Sequence, residues 1–227
     1  MAFLRRDRSA TEPTDQPDEA APSDDVRSAG PWDSSERDTT DDATYVDLGA
    51  LRVRGRTGTE IRLQSDGEGD AVAAALVLTS DSAIELRAFA GPRSGGLWDE
   101  VRADLLAEVE RLDGQPEIVE GLFGTELRAR VPMTLPDGSD GFQPSRIVGI
   151  DGPRWMLRAT FLGQSALEPT DDHVLVETLR DVVVVRGEGP MASREPLLLT
   201  IPEQAVVLAE DEVTDPTEGA SRPTESE

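Results

Sequence analysis

Apolar residues recur at steps of three and four between Leu97 and Leu112, which is the period of an amphipathic helix. The apolar stripe consists of Leu97, Trp98, Val101, Leu105, Val109 and Leu112. Ser94 or one of the neighbouring glycines can cap the start of this helix, and Gly114 stands where a left-handed residue would end it. Because a helix of this length is only marginally stable alone, we expect its apolar face to cover a sheet.

Segments in which apolar and polar residues alternate flank this helix and are typical of half-buried strands. The predicted strands cover residues 51–53, 60–63, 72–79, 83–90, 117–120, 125–133, 142–150, 155–161 and 181–186. Asp151-Gly152-Pro153 is predicted to close a hairpin, because Asp-Gly suits a two-residue turn with positive φ. A second helix is predicted from about Asp171 or Asp172, either of which can cap it, to Leu179.

Short turns connect most of these strands, and short turns join antiparallel neighbours. We therefore predict an α+β fold, a mostly antiparallel sheet covered by two helices.

Acidic residues are concentrated at the two ends of the chain. Residues 1–44 contain 12 acidic residues and 5 arginines, and residues 202–227 contain 8 acidic residues and 1 arginine. Both ends are poor in large apolar residues and cannot bury enough surface to offset the entropy of ordering. We predict disordered acidic tails at 1–44 and 202–227 around a single domain at 45–201.

Composition removes several classes of function. All 22 basic residues are arginine and the chain has no cysteine, which excludes disulfides and thiolate sites. No run reaches the roughly 18 apolar residues that a membrane span needs, and no apolar segment of a secretory signal follows residues 1–8. We therefore expect a cytoplasmic protein without membrane contact. The net charge of −24 argues against binding to a nucleic-acid backbone.

Three features invite a chemical interpretation, and in each the structural alternative is favoured. Residues 91–96 form a glycine-rich loop before the helix, but the lysine and glycine spacing of a phosphate loop are missing. The acidic turn at 65–70 does not match the calcium-loop spacing. His173 lies at a predicted helix start without further ligands or a serine elbow, which favours an exposed or capping role. We assign no catalytic residue, metal or cofactor.

The first candidate binding element is Gly30-Pro31-Trp32-Asp33 in the N-terminal tail. A tryptophan in an acidic disordered tail can anchor a partner protein, because indole burial supplies much of the energy of a small interface. In the alternative, Trp32 packs against the domain or is simply tolerated. We take Trp32 and Asp33 as candidate binding residues.

A second candidate is a surface on neighbouring predicted strands. It would carry Arg128, Arg130, Arg146, Arg154 and Arg158. An arginine-lined sheet face would bind a carboxylate or an acidic peptide, for which the chain's own acidic tail is one source. The favoured alternative is that these arginines form ordinary ion pairs with Glu120, Glu126 and Asp104.

Three stretches carry a resemblance to a known family. They are Gly91 to Arg102, Gly121 to Arg130 and Asp151 to Trp155. The chain resembles an actinobacterial family of cytosolic proteins of unknown function, with an acidic N-terminal tail, a Gly-Pro-aromatic-Asp motif at 30–33 and a Val-Asp-Leu-Gly-Ala-Leu-Arg motif at 46–52. The resemblance covers about 30–201 and implies no activity, because that family has no assigned reaction. More distantly, the order of elements is similar to the PsbP-like sandwich, which implies an architecture and no function.

These observations favour a non-enzymatic protein-binding or adaptor domain. The partner would contact the Gly30–Asp33 motif or the arginine-lined face. The alternative is a sensor of a small molecule or peptide, with a pocket between helix and sheet lined by Arg93, Arg154 or Trp155. An enzyme is the least supported class, because no catalytic set is recognisable.

Overall fold

The computed structural model describes residues 27–65, 71–135 and 137–202. The predictions for residues 1–26, for most of the acidic turn at 65–70 and for residues 203–227 lie outside the described residues. In chain order the elements are β1 (Trp32–Asp33), β2 (Tyr45–Asp47), β3 (Leu51–Arg54), β4 (Glu60–Ser65), β5 (Val72–Leu78), β6 (Ser82–Ala90), α1 (Leu97–Arg111), β7 (Gln115–Gly121), β8 (Gly124–Thr134), β9 (Asp140–Gly152), β10 (Trp155–Gly163), α2 (Gln164–Leu167), α3 (Val174–Asp181) and β11 (Val183–Val184).

Seven strands form an antiparallel sheet in the order β4-β5-β6-β10-β9-β8-β7. This confirms the mostly antiparallel character that the short turns predict. The alternation of side chains divides the sheet into two faces: Met156 belongs to a cluster under α1, whereas Trp155 and Leu157 belong to a larger core on the opposite face. The amphipathic pattern of β10 thus serves two separate hydrophobic layers.

A smaller four-stranded sheet, β1-β11-β3-β2, contributes to the larger core. Leu51 and Val53 of β3 and Val184 of β11 are fully buried there, together with apolar residues of α2 and α3. The arrangement is therefore α+β in the broad sense, but a sandwich of one sheet beneath two helices is not what the structure shows. One face of the large sheet carries α1, and the other carries the small sheet with α2 and α3.

The small sheet corrects the predicted domain boundary. Trp32 and Asp33 pair in parallel with Val183 and Val184. Part of the predicted N-terminal tail is therefore an edge strand of this sheet. The prediction of a disordered tail through residue 44 is therefore wrong for residues 27–44. The polar composition of this segment predicted disorder, because it offers little apolar surface to bury. In the structure, hydrogen bonds and ion pairs hold the segment against the domain instead.

The predicted central helix is present as α1, and its ends differ from the sequence expectation. Leu97, Trp98 and Val109 are buried, whereas Leu112 lies beyond the helix and is 43% exposed. Gly96 is the N-cap residue and, because it has no side chain, it supplies no side-chain capping hydrogen bond. The left-handed residue after the helix is Asp113 (φ 56°), and Gly114 donates its N–H to the Val109 carbonyl.

The predicted β9–β10 hairpin is present with a shifted turn. Asp151 and Gly152 belong to β9, and Gly152 pairs with Trp155. The two turn residues are Pro153 and Arg154, and Arg154 takes the positive φ of 64°. Proline followed by a left-handed residue is the combination that a type II turn requires, which explains why the turn lies two residues later than Asp-Gly suggests.

Candidate functional site

The Gly30–Asp33 motif is folded against the domain. Trp32 is half-buried in β1, and the guanidinium of Arg37 lies over its ring at 4.6 Å from the centroid. Asp33 is buried on the inner face of the same strand. The indole of Trp32 is therefore not carried on a free tail, and the packing alternative describes its position.

Asp33 and Trp155 meet in the core between the two sheets. The indole Nε1 of Trp155 donates a 2.7 Å hydrogen bond to Oδ2 of Asp33, and the Ser35 N–H and hydroxyl donate to Oδ1. Arg27 lies over the Trp155 ring at 5.4 Å. Burial alone would raise the pKa of Asp33, but the hydrogen bonds from Ser35 and Trp155 and the charge of Arg27 lower it below its ordinary value.

Three arginines converge on the carboxylate of Asp181 at the end of α3. Arg37 reaches Oδ1 at 2.9 Å, and Arg54 and Arg56 reach Oδ2 at 3.2 and 2.7 Å. The Tyr45 hydroxyl donates to the Asp181 carbonyl. Burial would raise the pKa of Asp181, yet the arginine hydrogen bonds and charges outweigh it and lower the pKa. This cluster, the Asp181 arginine cluster, links the 27–45 segment to α3 and has a structural role.

The start of α1 already has a negative group. The carboxylate of Asp151, from β9, accepts a hydrogen bond from the backbone N–H of Trp98 at 3.3 Å through Oδ2, and Gly96 and Leu97 lie beside it at the same helix start. Burial raises the pKa of Asp151, the backbone N–H groups of these three residues lower it in part, and the charge of Asp99 raises it again, with a net raised pKa. Because a carboxylate already occupies the start of α1, it would repel a phosphate there, and the glycine-rich loop serves the helix start.

The residues proposed for a sensor pocket do not come together around α1. Trp155 is 1% exposed and faces the larger core, on the opposite side of the sheet from α1. Arg93 is exposed in the β6–α1 loop, and Arg154 is half-buried in the β9–β10 turn. A pocket between helix and sheet that is lined by Trp155 is therefore excluded by the direction of β10.

The five arginines of the predicted sheet face separate into three places. Arg158 lies on the α1 side of the sheet, over Phe89 and 3.4 Å from Glu85. Arg154 is in the turn. The remaining three, Arg128, Arg130 and Arg146, share the opposite face of β8 and β9.

Arg146 is the buried member of this face. It forms a bidentate ion pair with Glu126, at 2.7 Å through Nε and 3.2 Å through Nη2. Both side chains are essentially inaccessible to solvent. The Phe123 N–H donates to the same carboxylate. Glu126, one of the three acids predicted as partners of the five arginines, thus pairs with a member of the set. Asp104 pairs with Arg194 instead.

Arg128 and Arg130 have a different environment. Within the described ranges neither forms an ion pair, although Arg128 is half-buried and Arg130 is exposed. Their face continues outward along the two strands, where Arg130 lies opposite Pro144 and Pro132 lies opposite Phe142. Phe142 is 50% exposed. Phe142 was not predicted as a surface residue, because a phenylalanine in a predicted strand is normally assigned to the core.

Three further findings concern function classes. His173 is the N-cap of α3, where its Nδ1 accepts from the Leu175 N–H at 3.2 Å, and this confirms the capping role over Asp171 or Asp172. No set of three or more His, Cys, Asp or Glu side chains is arranged to hold a metal within the described part of the chain. In the same part, none of the helices combines the length and apolarity of a bilayer span.

Comparisons with known proteins give a family and no activity. The model of a family described as "Protein of unknown function (DUF3710)" matches residues 30–207. No curated protein matches the chain. A crystal structure from Bacteroides thetaiotaomicron VPI-5482, at 1.50 Å resolution, is similar at 17% sequence identity and a TM-score of 0.34. The match covers 62% of this chain and 47% of that one, so the chain spans about half the length of the solved protein.

Proposed function

The chain belongs to the DUF3710 family, and on that premise we propose that it is a non-enzymatic, cytoplasmic protein-binding domain that docks an acidic segment of a partner. We define the docking face as Arg128, Arg130, Pro132, Phe142 and Pro144, on β8 and β9. The observation that supports the proposal is a pair of arginines that have no carboxylate partner in the described part of the chain, beside a half-exposed phenylalanine.

The charge of the docking face arises from the way Glu126 is used. On other strands an arginine pairs with a glutamate two residues earlier, as Arg62 does with Glu60 and Arg87 with Glu85. Glu126 stands two residues before Arg128, but its carboxylate is committed to Arg146. Arg128 and Arg130 therefore present positive charge on a chain whose net charge is −24. Such a local excess favours a partner that supplies carboxylates.

The shape of the face favours contact through side chains. Beyond Arg130, β8 extends past the first paired residue of β7, and before Ser145, β9 extends past the end of β10. The two strands thus leave the sheet as a ribbon with two open edges. Pro132 and Pro144 lack the N–H that strand addition would need, and proline at an edge blocks such pairing. A partner is expected to meet the arginines and the Phe142 ring instead.

The absence of cysteine is compatible with a reducing cytoplasm. The non-enzymatic assignment is supported by the use of the convergent charged groups. Asp33, Asp151 and Asp181 each accept hydrogen bonds that join separate elements of the fold. At least one oxygen of each carboxylate is therefore used to hold the fold together.

Fluorescence anisotropy tests the proposal. The probe is a fluorescein-labelled peptide of glutamates around a central Leu-Phe pair, with a glutamine version as the charge control. We expect the wild type to bind the glutamate peptide at low salt and to lose affinity as salt rises. The double variant Arg128→Gln/Arg130→Gln should bind at least about tenfold more weakly, and Phe142→Ser should also weaken binding.

Arg93→Gln is the matched control, because it removes an exposed arginine from the β6–α1 loop. It should bind like the wild type. Equal affinity for the glutamate and glutamine peptides, or unchanged binding by the double variant, would overturn the proposal. Melting temperatures of all variants establish that the fold is intact.

A further inference from the structure

Arg146 has an unused donor in the interior of the protein. Its side chain is 0% exposed, Nε and Nη2 donate to Glu126, and Nη1 is buried with no hydrogen-bond partner. The ring of Phe161 covers the guanidinium at 4.5 Å. A buried donor without an acceptor is costly, and in native proteins it usually marks a water or an ion.

A second arginine stands directly across the ladder. Arg128 of β8 is paired in register with Arg146 of β9, so the two side chains leave the sheet on the same face. The Nε of Arg128 is also buried without a partner. Glu117 lies opposite Arg128 on β7, but within the described residues these two do not form an ion pair. Of the two guanidinium groups on this face, that of Arg146 is paired with Glu126, and that of Arg128 has no ion pair among the described residues.

This imbalance matters because the site is largely screened from water. Like charges directly opposite each other on a sheet destabilise it, and the repulsion grows where the effective dielectric constant is low. A negatively charged group placed between the two arginines would remove the repulsion and accept the unused N–H bonds. An arginine fork matches the two oxygens of a carboxylate or a phosphate.

We propose that Arg128 and Arg146 form an oxyanion-binding site in which Nη1 of Arg146 and the Arg128 guanidinium hold one oxyanion. The inference deepens the proposed function and rests on it: in the complex the oxyanion is a glutamate or aspartate carboxylate of the docked segment. Arg130 and Phe142 would contact the rest of the segment farther along the face. A free small carboxylate or inorganic phosphate shares this chemistry and serves as the probe.

Arginine side-chain NMR tests the site in the full chain. Protein labelled with ¹⁵N-arginine is titrated with sodium acetate, sodium succinate or sodium phosphate, against sodium chloride at equal ionic strength. The Arg146 signals are assigned by their proximity to the Phe161 ring, and those of Arg128 by their absence in Arg128→Gln. We expect saturable shifts of both sets, with at least tenfold weaker binding in Arg128→Gln and no change in Arg93→Gln.

The outcomes separate this inference from the proposed function. If the oxyanions shift the Arg146 signals no more than chloride does, a water satisfies Nη1 and the site is overturned, even where the glutamate peptide still binds. If the oxyanions bind and the glutamate peptide does not, the site is supported as a small-anion site and the docked-carboxylate part is overturned. If peptide and oxyanions compete, both are supported. Arg128→Lys, which keeps the charge and loses the fork, should retain only weak binding.

Discussion

The indole of Trp155 and the carboxylate of Asp33 are joined by a 2.7 Å hydrogen bond across 122 residues of sequence. Trp155 lies in the large sheet and Asp33 in the small one, so this bond couples the two layers. Its donor and acceptor are both buried. An N–H to carboxylate bond in such a place is stronger than an average hydrogen bond, and losing one partner leaves the other unsatisfied.

Replacing either residue should therefore destabilise the protein. We expect Asp33→Ala and Trp155→Phe each to lower the free energy of unfolding by about 1–3 kcal/mol. In the double variant the loss should be smaller than the sum of the two, because the bond can be lost only once. Urea unfolding of all four proteins measures this. Additivity within about 0.5 kcal/mol would contradict a coupling between the two side chains.

The Asp181 arginine cluster should make the free energy of unfolding depend on pH in the acid range. The folded pKa of Asp181 lies below its ordinary value of 3.8, so its contribution is fully present above that value and is lost as the pH falls through the folded pKa. Asp181→Asn removes the contribution. The stability difference between wild type and Asp181→Asn should be constant from about pH 7 to pH 5 and should shrink below the ordinary value. Urea unfolding at a series of pH values tests this, and a difference that grows towards acid would be the wrong sign.

Asp151 should show the opposite pH dependence. Its folded pKa is raised above 3.8, so the folded state holds the proton more tightly than the unfolded state does. The stability of the wild type relative to Asp151→Asn should be greatest below this ordinary value and should fall as the pH rises through the raised pKa. The same unfolding series measures it, with Asp181→Asn as the control of opposite sign. Parallel curves for the two variants would contradict the assigned environments.

Gly149 is predicted to be required for the packing of Trp98. A Cβ at this position of β9 would overlap the Trp98 ring, which is buried at the start of α1. Gly149→Ala should cost about 1–3 kcal/mol of unfolding free energy, because the ring and the helix must shift. Gly189→Ala is the matched control, since an added Cβ there meets nothing within 4 Å. Thermal and urea unfolding of both variants measure the difference. Equal stability of Gly149→Ala and Gly189→Ala would contradict a close contact between Gly149 and the Trp98 ring.

Local patterns predicted most of the strands and the central helix. The steps of three and four from Leu97 to Val109 and the alternation in Ile84-Glu85-Leu86 depend only on nearby residues. The ends of elements were less predictable, because competing local signals exist there. Asp113 takes the left-handed position that Gly114 would suit, and Pro153-Arg154 forms the turn that Asp151-Gly152 would suit.

The sites depended on contacts that no local pattern contains. Asp181 comes from α3, whereas Arg37, Arg54 and Arg56 come from the N-terminal quarter of the chain. Asp33 was predicted as a binding residue on a free tail, whereas its partner in the structure is Trp155, 122 residues away. The shared face of Arg128 and Arg130 was predicted, since residues two apart in a strand point the same way. Among the described residues Arg128 has no acid partner because Glu126 pairs with Arg146, and sequence alone does not give that pairing.

The parallel pairing of Trp32 and Asp33 with Val183 and Val184 has a consequence for how the protein is made. A ribosome releases the first pair early and the second pair after the last strand of the large sheet, which ends at Gly163. The nascent chain therefore completes the large sheet before the small one can close over it. Until then the interior surface of β10 has no cover from β11, which makes the interval between the release of Gly163 and that of Val183 the one in which a chaperone would be most useful.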